Sequence, residues 1–329
     1  MCIHIYNRLS FRICGILVTD MEFRDLRYFS AVAEHQNIGR AAEALNLSAT
    51  ALGKSLRRLE KSVGAKLVQR APKGVALTAV GAALLTRIGP LQGMLNDVLH
   101  EATDLAEGHA GHVNVGATPS TAETVVANAC VTLSKESPRI TLKVTVASAA
   151  SLGHTLHKGE MDFCVADVAA FSPAQFVHER LYENREIVFA SANHRLAKRK
   201  QVSVADLACE RWASTISTSR PPWQALFEAF KNNGLSPAGV ALDTNSQEVR
   251  MQAIAYSDYL GVNTRYFVRQ QARRFPIVEL PVKEMSVVRN LSINHRKGAY
   301  LSPSAQRLID ILKEQARKTT IGPRGGRLS

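Results

Sequence analysis

The sequence lacks the short motifs by which many enzymes are recognised. No G-x-G-x-x-G, P-loop, G-x-S-x-G or H-E-x-x-H pattern occurs in its 329 residues, and each of these patterns marks a nucleotide-binding, hydrolytic or metal-dependent chemistry. His154 and His157 share one predicted helix face, but a solvated face explains this pair better than a metal site. The sequence therefore predicts no enzyme, no metal site and no cofactor.

Cysteine pairs and long apolar runs are also missing. The five cysteines form no CxxC and no closely spaced set, and the apolar run around Cys164 predicts a buried structural thiol. No stretch of 18 apolar residues occurs, so we expect no membrane span and a cytoplasmic protein. Residues 1–20 carry no cleavage site of a secretion signal. We expect them to be a leader outside the fold, with Met21 as the working start.

Residues 21–81 hold the most informative pattern that is present. It predicts two short helices, a tight turn, a third helix and a basic hairpin. Ser48 is a good N-cap for the third helix, which has leucines on one side and cations elsewhere. The net charge of +13 suits a polyanionic partner, and two helices joined by a short turn, the second rich in cations, fit a DNA major groove. The pattern therefore predicts DNA binding.

A single long helix is predicted from Thr78 onward. Its apolar residues recur at alternating spacings of four and three, which is a heptad seam for a partner helix. Pro90 predicts a bend, and the glycines at 108 and 111 predict a hinge. The open alternative is a helix that lies on its own domain. The candidate dimerisation residues are Leu84, Ile88, Leu91, Leu95 and Val98.

Strand-like and helix-like segments alternate beyond the hinge, which predicts an α/β domain with a mainly parallel sheet. Strands are predicted at 112–117, 140–146, 163–166, 186–190, 259–263 and 287–294. Helices are predicted at 122–135, 152–158, 223–233, 247–256 and 302–317.

Several motifs, in matching order, resemble LysR-type transcriptional regulators. Those of the N-terminal part are DLRYFSAVAE at 25–34, RAAEALNLS at 40–48, LRRLE at 56–60, and the wing and linker start at 64–70 and 75–81. More loosely, the second half resembles that family's effector-binding domain, and the matching motifs are GEMD at 159–162 and HRLA at 194–197. An ordered set of this kind is more specific than a lone helix-turn-helix pattern.

The resemblance implies a winged helix-turn-helix domain and a two-lobed α/β domain like a type 2 periplasmic binding protein. The expected division is a leader at 1–20, the DNA-binding domain at 21–80, the linker and dimerisation helix at 78–107, a hinge at 108–111, the effector-binding domain at 112–317 and a flexible basic tail at 318–329. Within the effector-binding domain, lobe I would hold about 112–181 and 287–317, and lobe II about 182–286.

The helix-turn-helix is expected from about Ile38 to Arg57. Thr50 and Lys54 would reach base edges, and most of the arginines would meet phosphates. The candidate DNA-binding residues are Arg40, Ser48, Thr50, Lys54, Ser55, Arg57, Arg58, Arg70 and Lys73.

The candidate effector-binding residues follow predicted strands. Thr118, Ser120 and Thr121 come after the first strand, where hydroxyls and free N–H groups of the next helix would favour an anion. The resemblance implies that this loop holds an effector carboxylate. Ser148 and Asn245 occupy comparable strand-end positions. Helix capping is the alternative role for each residue.

These observations predict a sequence-specific DNA-binding regulator of LysR type, modulated by a small and anionic effector. Its expected partners are double-stranded DNA, the effector, further copies of itself and RNA polymerase; the resemblance implies dimers that pair into tetramers. Two alternatives stay open. A solute-binding protein of a transport system would leave residues 21–81 without a role, and an architectural DNA binder would ignore small molecules.

Overall fold

The computed structural model describes the chain in five long segments. They are residues 21–107, 111–214, 221–236, 239–282 and 287–321, with two short paired strands at Arg12–Ile13 and Ile16–Leu17. The rest of the expected leader, hinge residues 108–110 and the tail beyond residue 321 lie outside the described residues. The chain divides into an N-terminal unit, Met1–Leu95, and a C-terminal unit, Asn96–Ser329. None of the described helices is long and apolar enough to cross a membrane.

The N-terminal unit is a three-helix arrangement followed by a hairpin and the start of a long helix. Its elements are α1 (Phe23–His35), α2 (Ile38–Ala44), α3 (Ala49–Val63), β1 (Val68–Ala71), β2 (Gly74–Leu77) and α4 (Ala79–Glu107). The Ser48 hydroxyl accepts the backbone N–H of Ala51 at 3.1 Å, which confirms the predicted cap of α3. The hairpin predicted from the sequence is present as β1 and β2.

The hairpin is held close to the end of α1. The N–H of Val75 donates to the carbonyl of Gln36 at 2.9 Å. A Cβ atom at Gly74, whose φ is +141°, would lie 2.3 Å from that same carbonyl oxygen. Glycine is therefore required here both for its backbone angle and for the close approach.

The apolar core of the N-terminal unit joins α1, α3 and α4. Its buried side chains are Leu26, Phe29, Leu56, Leu59, Leu67 and Ile88, with Leu84 partly buried against them. Fully burying one such side chain contributes about 1.5–3 kcal/mol. The first turns of α4 therefore belong to this core.

A buried carboxylate lies beside that core. Asp25 has no exposed surface, and its carboxylate accepts hydrogen bonds from Ser55 and from Nε of Arg58, the latter at 2.8 Å. Burial alone would raise the pKa of Asp25, but the hydrogen bonds from Arg58 and Ser55 outweigh it and hold the pKa below its ordinary value. Asp25 therefore stays ionised and ties α1 to α3.

The C-terminal unit alternates strands and helices. Its strands are β3 (His112–Ala117), β4 (Thr141–Val146), β5 (Phe163–Asp167), β6 (Phe176–Ser191), β7 (Arg211–Ser214), β8 (Val240–Asp243), β9 (Tyr259–Thr264), β10 (Ile277–Glu279) and β11 (Val288–Arg296). Its helices are α5 (Pro119–Thr121, a π-helical turn Ala122–Val126, then Ala127–Glu136), α6 (Ala149–His157), α7 (Val204–Ala208), α8 (Pro221–Asn232), α9 (Gln247–Ala255), α10 (Arg265–Gln271) and α11 (Pro303–Ile321).

These nine strands form one mixed sheet in the order β8-β7-β9-β6-β11-β5-β3-β4, with β10 also paired to β6. In lobe I, β3 pairs in parallel with β4 and with β5. In lobe II, β7 pairs in parallel with β8 and with β9. The long strands β6 and β11 are antiparallel to each other and cross between the two lobes. Each lobe has apolar cores of its own.

The structure corrects two element predictions. The strand predicted at 186–190 is the end of β6, which begins ten residues earlier at Phe176. The first half of β6 contains charged residues, so its sequence lacks the apolar pattern that predicts a strand. The closing helix begins at Pro303 as expected, but it continues to Ile321. Residues 318–321 of the expected flexible tail are therefore helical.

Replacing Asp25 by Asn should weaken the N-terminal unit selectively. Losing charge-assisted hydrogen bonds costs about 1.5–3 kcal/mol. Because the pKa of Asp25 is lower in the folded chain than in the unfolded one, its contribution is complete above about pH 4 and declines as the pH falls through the folded-state pKa. Hydrogen exchange of α1 and α3 amides in urea, at pH 7 and at decreasing pH, measures both effects.

Both tryptophans, Trp212 and Trp223, lie in the C-terminal unit, so their fluorescence transition in urea serves as the internal control. Exposed Glu43, changed to Gln, is the matched variant without a buried partner. Equal exchange in the Asp25→Asn and Glu43→Gln proteins would contradict the role given to Asp25.

Candidate DNA-binding surface and effector cleft

The candidate DNA-binding side chains separate into an exposed set and two residues that are bonded to Asp25. The exposed residues are Arg40, Ser48, Thr50, Lys54, Arg57, Arg70 and Lys73. Thr50, Lys54 and Arg57 recur at spacings of four and three along α3, so they share a side of that helix. Arg70 lies on β1 and Lys73 in the hairpin turn. Within the described segments, none of these five cations is paired with a carboxylate.

The expectation that Ser55 and Arg58 contact DNA is corrected. Ser55 is 4% exposed and its hydroxyl donates to Asp25, so it cannot reach a base. The Arg58 guanidinium is occupied by Asp25, and by Glu22 with Nη1 3.3 Å from Oε1. Both residues therefore position α3 on α1. The neighbouring Arg57 points away and bonds only the carbonyl of Gly53 among its described contacts, at 3.2 Å.

The candidate dimerisation residues also divide. Ile88 is 1% exposed and, with Leu84, packs in the core of its own unit. For these two residues the alternative of a helix on its own domain is correct. Leu91, Leu95 and Val98 are exposed by 45%, 39% and 62%, which keeps them available for a partner. Sequence reasoning missed Met94 and Leu99, which enlarge the exposed apolar side of α4; Leu105, a later residue of the predicted seam, is exposed as well.

The predicted effector residues of lobe I lie at one edge of the sheet. Because β3, β4 and β5 are parallel, their C-terminal ends share that edge. Thr118 follows β3, Ser148 follows β4 and Asp167 ends β5. Ligands of open α/β folds bind at this kind of edge.

The Thr118 hydroxyl does not cap α5. It lies 2.8 Å from the hydroxyl of Thr121, which is 6% exposed, and it makes no hydrogen bond to the helix backbone. A π-helical turn follows directly, a feature frequent at functional sites. Ser120 is half-buried beside them.

The other two candidates differ in their surroundings. Ser148 accepts the N–H of Ser151 at 3.2 Å, so it serves as the N-cap of α6. Asn245 is exposed at the end of β8 in lobe II. The C-terminal end of β8 lies beside that of β7, since Asp243 pairs with Ser214.

Sequence reasoning missed a charged cluster between the lobes. Nη1 of Arg289, at the start of β11, lies 3.1 Å from Asp167, and its Nε lies 3.0 Å from Glu186. Glu186 is 3% exposed. Arg289 is more than 100 positions from both Asp167 and Glu186 in the sequence, so no spacing pattern could have indicated the cluster.

A second contact joins the lobes beside Thr118. The Gln271 amide of α10 donates to the Glu123 carboxylate of α5 at 2.9 Å. Burial, and then the charge of Glu248, raise the pKa of Glu123 above its ordinary value. The two lobes therefore meet through polar groups that a small rearrangement can alter.

The thiol of Cys164 is fully buried, as predicted. Burial raises its pKa to about 12, although a hydrogen bond with Asn294 opposes the shift. A thiol with this pKa stays protonated and unreactive at neutral pH. No group of three or more His, Cys, Asp or Glu side chains in the described segments could hold a metal ion.

Two family models cover most of the chain. The bacterial regulatory helix-turn-helix model of the LysR family matches residues 23–82, and the LysR substrate-binding domain model matches residues 106–317. The chain belongs to the LysR family of transcriptional regulators. Members of this family are regulators and not enzymes, and they bind DNA and small-molecule effectors and form oligomers.

Individual relatives agree with this assignment. The LysR-type chain is 26% identical over 297 residues to the transcriptional regulator GbpR of Azospirillum brasilense, covering 89% of this chain and 86% of GbpR. The crystal structure of CbnR, a LysR family regulator, has a TM-score of 0.57 at 20% identity and covers 90% of this chain and 99% of CbnR. Full-length CbnR complexed with its target DNA has a TM-score of 0.55 at 19% identity, with 89% and 99% covered. At these identities the structures support the fold.

Replacing Leu95 by Glu should dissociate the oligomer of this regulator. If the exposed apolar side of α4 is a seam, the change places a charge among apolar side chains, which is strongly unfavourable without a partner. Sedimentation velocity at micromolar concentration measures the oligomer. Thr86→Glu is the matched control, because Thr86 is exposed and lies about 180° from Leu95 around the helix. An unchanged oligomer in the Leu95 variant would remove the seam from α4.

Proposed function

We propose that this LysR-type regulator reads a specific operator through α3 and the hairpin wing, and that a small organic anion between the lobes modulates its activity. The observation that supports DNA recognition most strongly is the set of exposed cations on α3 and the wing, free of carboxylate partners within the described segments. Cations that release counterions from phosphates supply most of the affinity of such proteins. The cytoplasm is the expected compartment, since the operator lies there.

The position of each residue on α3 or the wing indicates whether it contacts bases or phosphates. Thr50 and Lys54 lie in the first turns of α3, where a recognition helix contacts base edges. Further along α3 lies Arg57, and on the wing lie Arg70 and Lys73. At these positions the side chains would contact DNA phosphates. Ser48 keeps a capping role, and Arg40 lies exposed on α2.

Pairing of two chains would set the operator length. Residues Leu91, Leu95 and Val98 leave one side of α4 apolar and exposed, and a dimer formed there would present two recognition helices to successive major grooves. Pairing of dimers into tetramers and contact with RNA polymerase are further parts of the proposal.

Effector binding is assigned to the strand ends of the cleft. The hydroxyls of Thr118 and Thr121 bond each other and not the helix backbone, so a ligand can replace that bond without uncapping α5. The cluster of Asp167, Glu186 and Arg289 carries a net charge of −1 and is already paired. An anionic group is therefore expected on the Thr118 side of the cleft, with Ser120 and Ser148 beside it and Asn245 opposite in lobe II.

Replacing Arg70 by Ala should weaken binding to all DNA sequences alike. If Arg70 neutralises one phosphate, the slope of log affinity against log salt should flatten by about 0.9. Fluorescence anisotropy on operator and random duplexes over a salt series measures this slope. Exposed Arg139 of the C-terminal unit, changed to Ala, removes the same net charge as a control. Equal slopes in the two variants would place Arg70 outside the interface.

Replacing Thr118 by Val should remove the response to the effector while the fold persists. A hydrogen bond to a charged group is worth about 1.5–3 kcal/mol, so affinity should fall roughly ten- to a hundred-fold. Benzoate and succinate are suitable probes, measured by ligand-dependent melting temperature and operator binding.

Ser203→Ala is the control for loss of a helix cap alone. The Ser203 hydroxyl accepts the N–H of Asp206 at 3.2 Å, and this cap lies away from the cleft. Its stability should drop by about 1 kcal/mol with ligand binding preserved. If the wild type responds to a probe and the Thr118 variant responds equally, the effector binds elsewhere in the cleft.

A further inference from the structure

The later part of α4, which belongs to the C-terminal unit, is bonded to lobe I through two consecutive residues. The Asn96 amide donates to the carbonyl of Gly159 at 3.1 Å. The guanidinium of Arg296 donates through Nη2 to Oδ1 of Asp97 at 2.6 Å. The side chains of Arg296 and Asp97 are 10% and 15% exposed, so this ion pair is largely shielded from salt.

The apolar and the bonded sides of α4 are different sides of the helix. At 100° per residue, Asp97 lies about 200° from Leu95. This part of the helix therefore binds lobe I with one side and leaves its apolar side exposed for another chain. A shift of Asp97 would move that apolar side with it.

Arg296 is the last residue of β11, and Arg289 lies near the first. Strand β11 is antiparallel to β5, with Asn294 opposite Cys164 and Leu291 opposite Asp167. Its end at Arg296 therefore lies at the edge opposite the cleft, and its start lies in the cleft. Seven residues of strand separate the two arginines by about 23 Å.

The strand between them is firmly held. It pairs with β5 on one side and β6 on the other. Ser292 also donates to the carbonyl of Ala166 at 3.2 Å, and Asn294 bonds His178 at 2.9 Å. Ile293 and Asn294 have no exposed surface. The pairing with β6 shifts register between Leu291 and Ser292, but the extra residue, Leu181, lies on β6. Strand β11 is therefore continuous between the two arginines, and its close packing lets it transmit a displacement along its length.

Arg289 contacts groups that belong to different lobes. Asp167 ends a strand of lobe I, while Glu186 lies where β6 pairs with β9 of lobe II. A change in the angle between the lobes must therefore alter at least one of these two contacts, and it acts on the cleft end of β11.

We propose that β11 couples the effector cleft to the linker helix, with Arg289 and Arg296 as its two positioning residues. Closure of the lobes displaces the Arg289 end, the strand carries the displacement, and the Arg296–Asp97 ion pair passes it to α4. The inference rests on the proposed modulation by an effector, and it assigns the route by which that modulation leaves the cleft.

The test is hydrogen exchange of the amides of residues 96–105 in the full chain, without DNA or effector. Asp97→Asn and Arg296→Gln should each raise exchange there by about tenfold, because a local opening loses its restraint. The charge-exchanged pair, Asp97→Arg with Arg296→Asp, should return exchange toward the wild-type rate. Glu101→Gln, one turn further along on an exposed residue, is the control. Unchanged exchange in both single variants would overturn the role given to the Arg296–Asp97 ion pair.

The decisive variant is distant from α4. Arg289→Gln should raise the same exchange several-fold, whereas Arg289→Lys should raise it less. Arg265→Gln breaks the Arg265–Glu279 pair of lobe II and should leave α4 unchanged. If Asp97→Asn acts on α4 and Arg289→Gln does not, β11 anchors the helix without coupling it, and the proposal fails. Operator affinity of the same variants is measured separately, so a failure of DNA binding is distinguishable from a failure of coupling.

Discussion

The pairing of β6 with β11 between the two lobes is the constraint on which the C-terminal unit depends. These two strands run through the middle of the sheet and pair with each other over most of their length. All parallel strands of lobe I lie on one side of them, and those of lobe II on the other. Their pairing brings C-terminal strand ends of both lobes to the junction between the lobes, where Arg289 also lies.

A second constraint shapes the N-terminal unit. Helix α3 must be buried on one side and exposed on the other, and Asp25 fixes which side is which. By holding Ser55 and Arg58 against α1, the buried carboxylate turns Thr50, Lys54 and Arg57 toward solvent. The ion pair is thus a structural device whose consequence is a defined cationic surface.

Helix α4 serves two purposes along its length. Its first turns supply Leu84 and Ile88 to the N-terminal core, and its later turns carry Asn96 and Asp97, which are bonded to lobe I. Between them lies an apolar side with no cover within its own chain's described residues. One continuous helix therefore contributes to the N-terminal core, is bonded to lobe I and carries an exposed apolar side.

The sequence by itself determined the helix-turn-helix with its Ser48 cap, the alternation of strands and helices and the family, because periodicity, capping and motif order are local. It could not show that Arg57 is exposed while adjacent Arg58 is bonded to Asp25, since helix spacing does not reveal which carboxylate lies opposite. It also could not separate Ile88 from Leu95 within one heptad pattern. The cluster of Asp167, Glu186 and Arg289 was decided by tertiary structure, because only strand pairing brings together residues so distant along the chain.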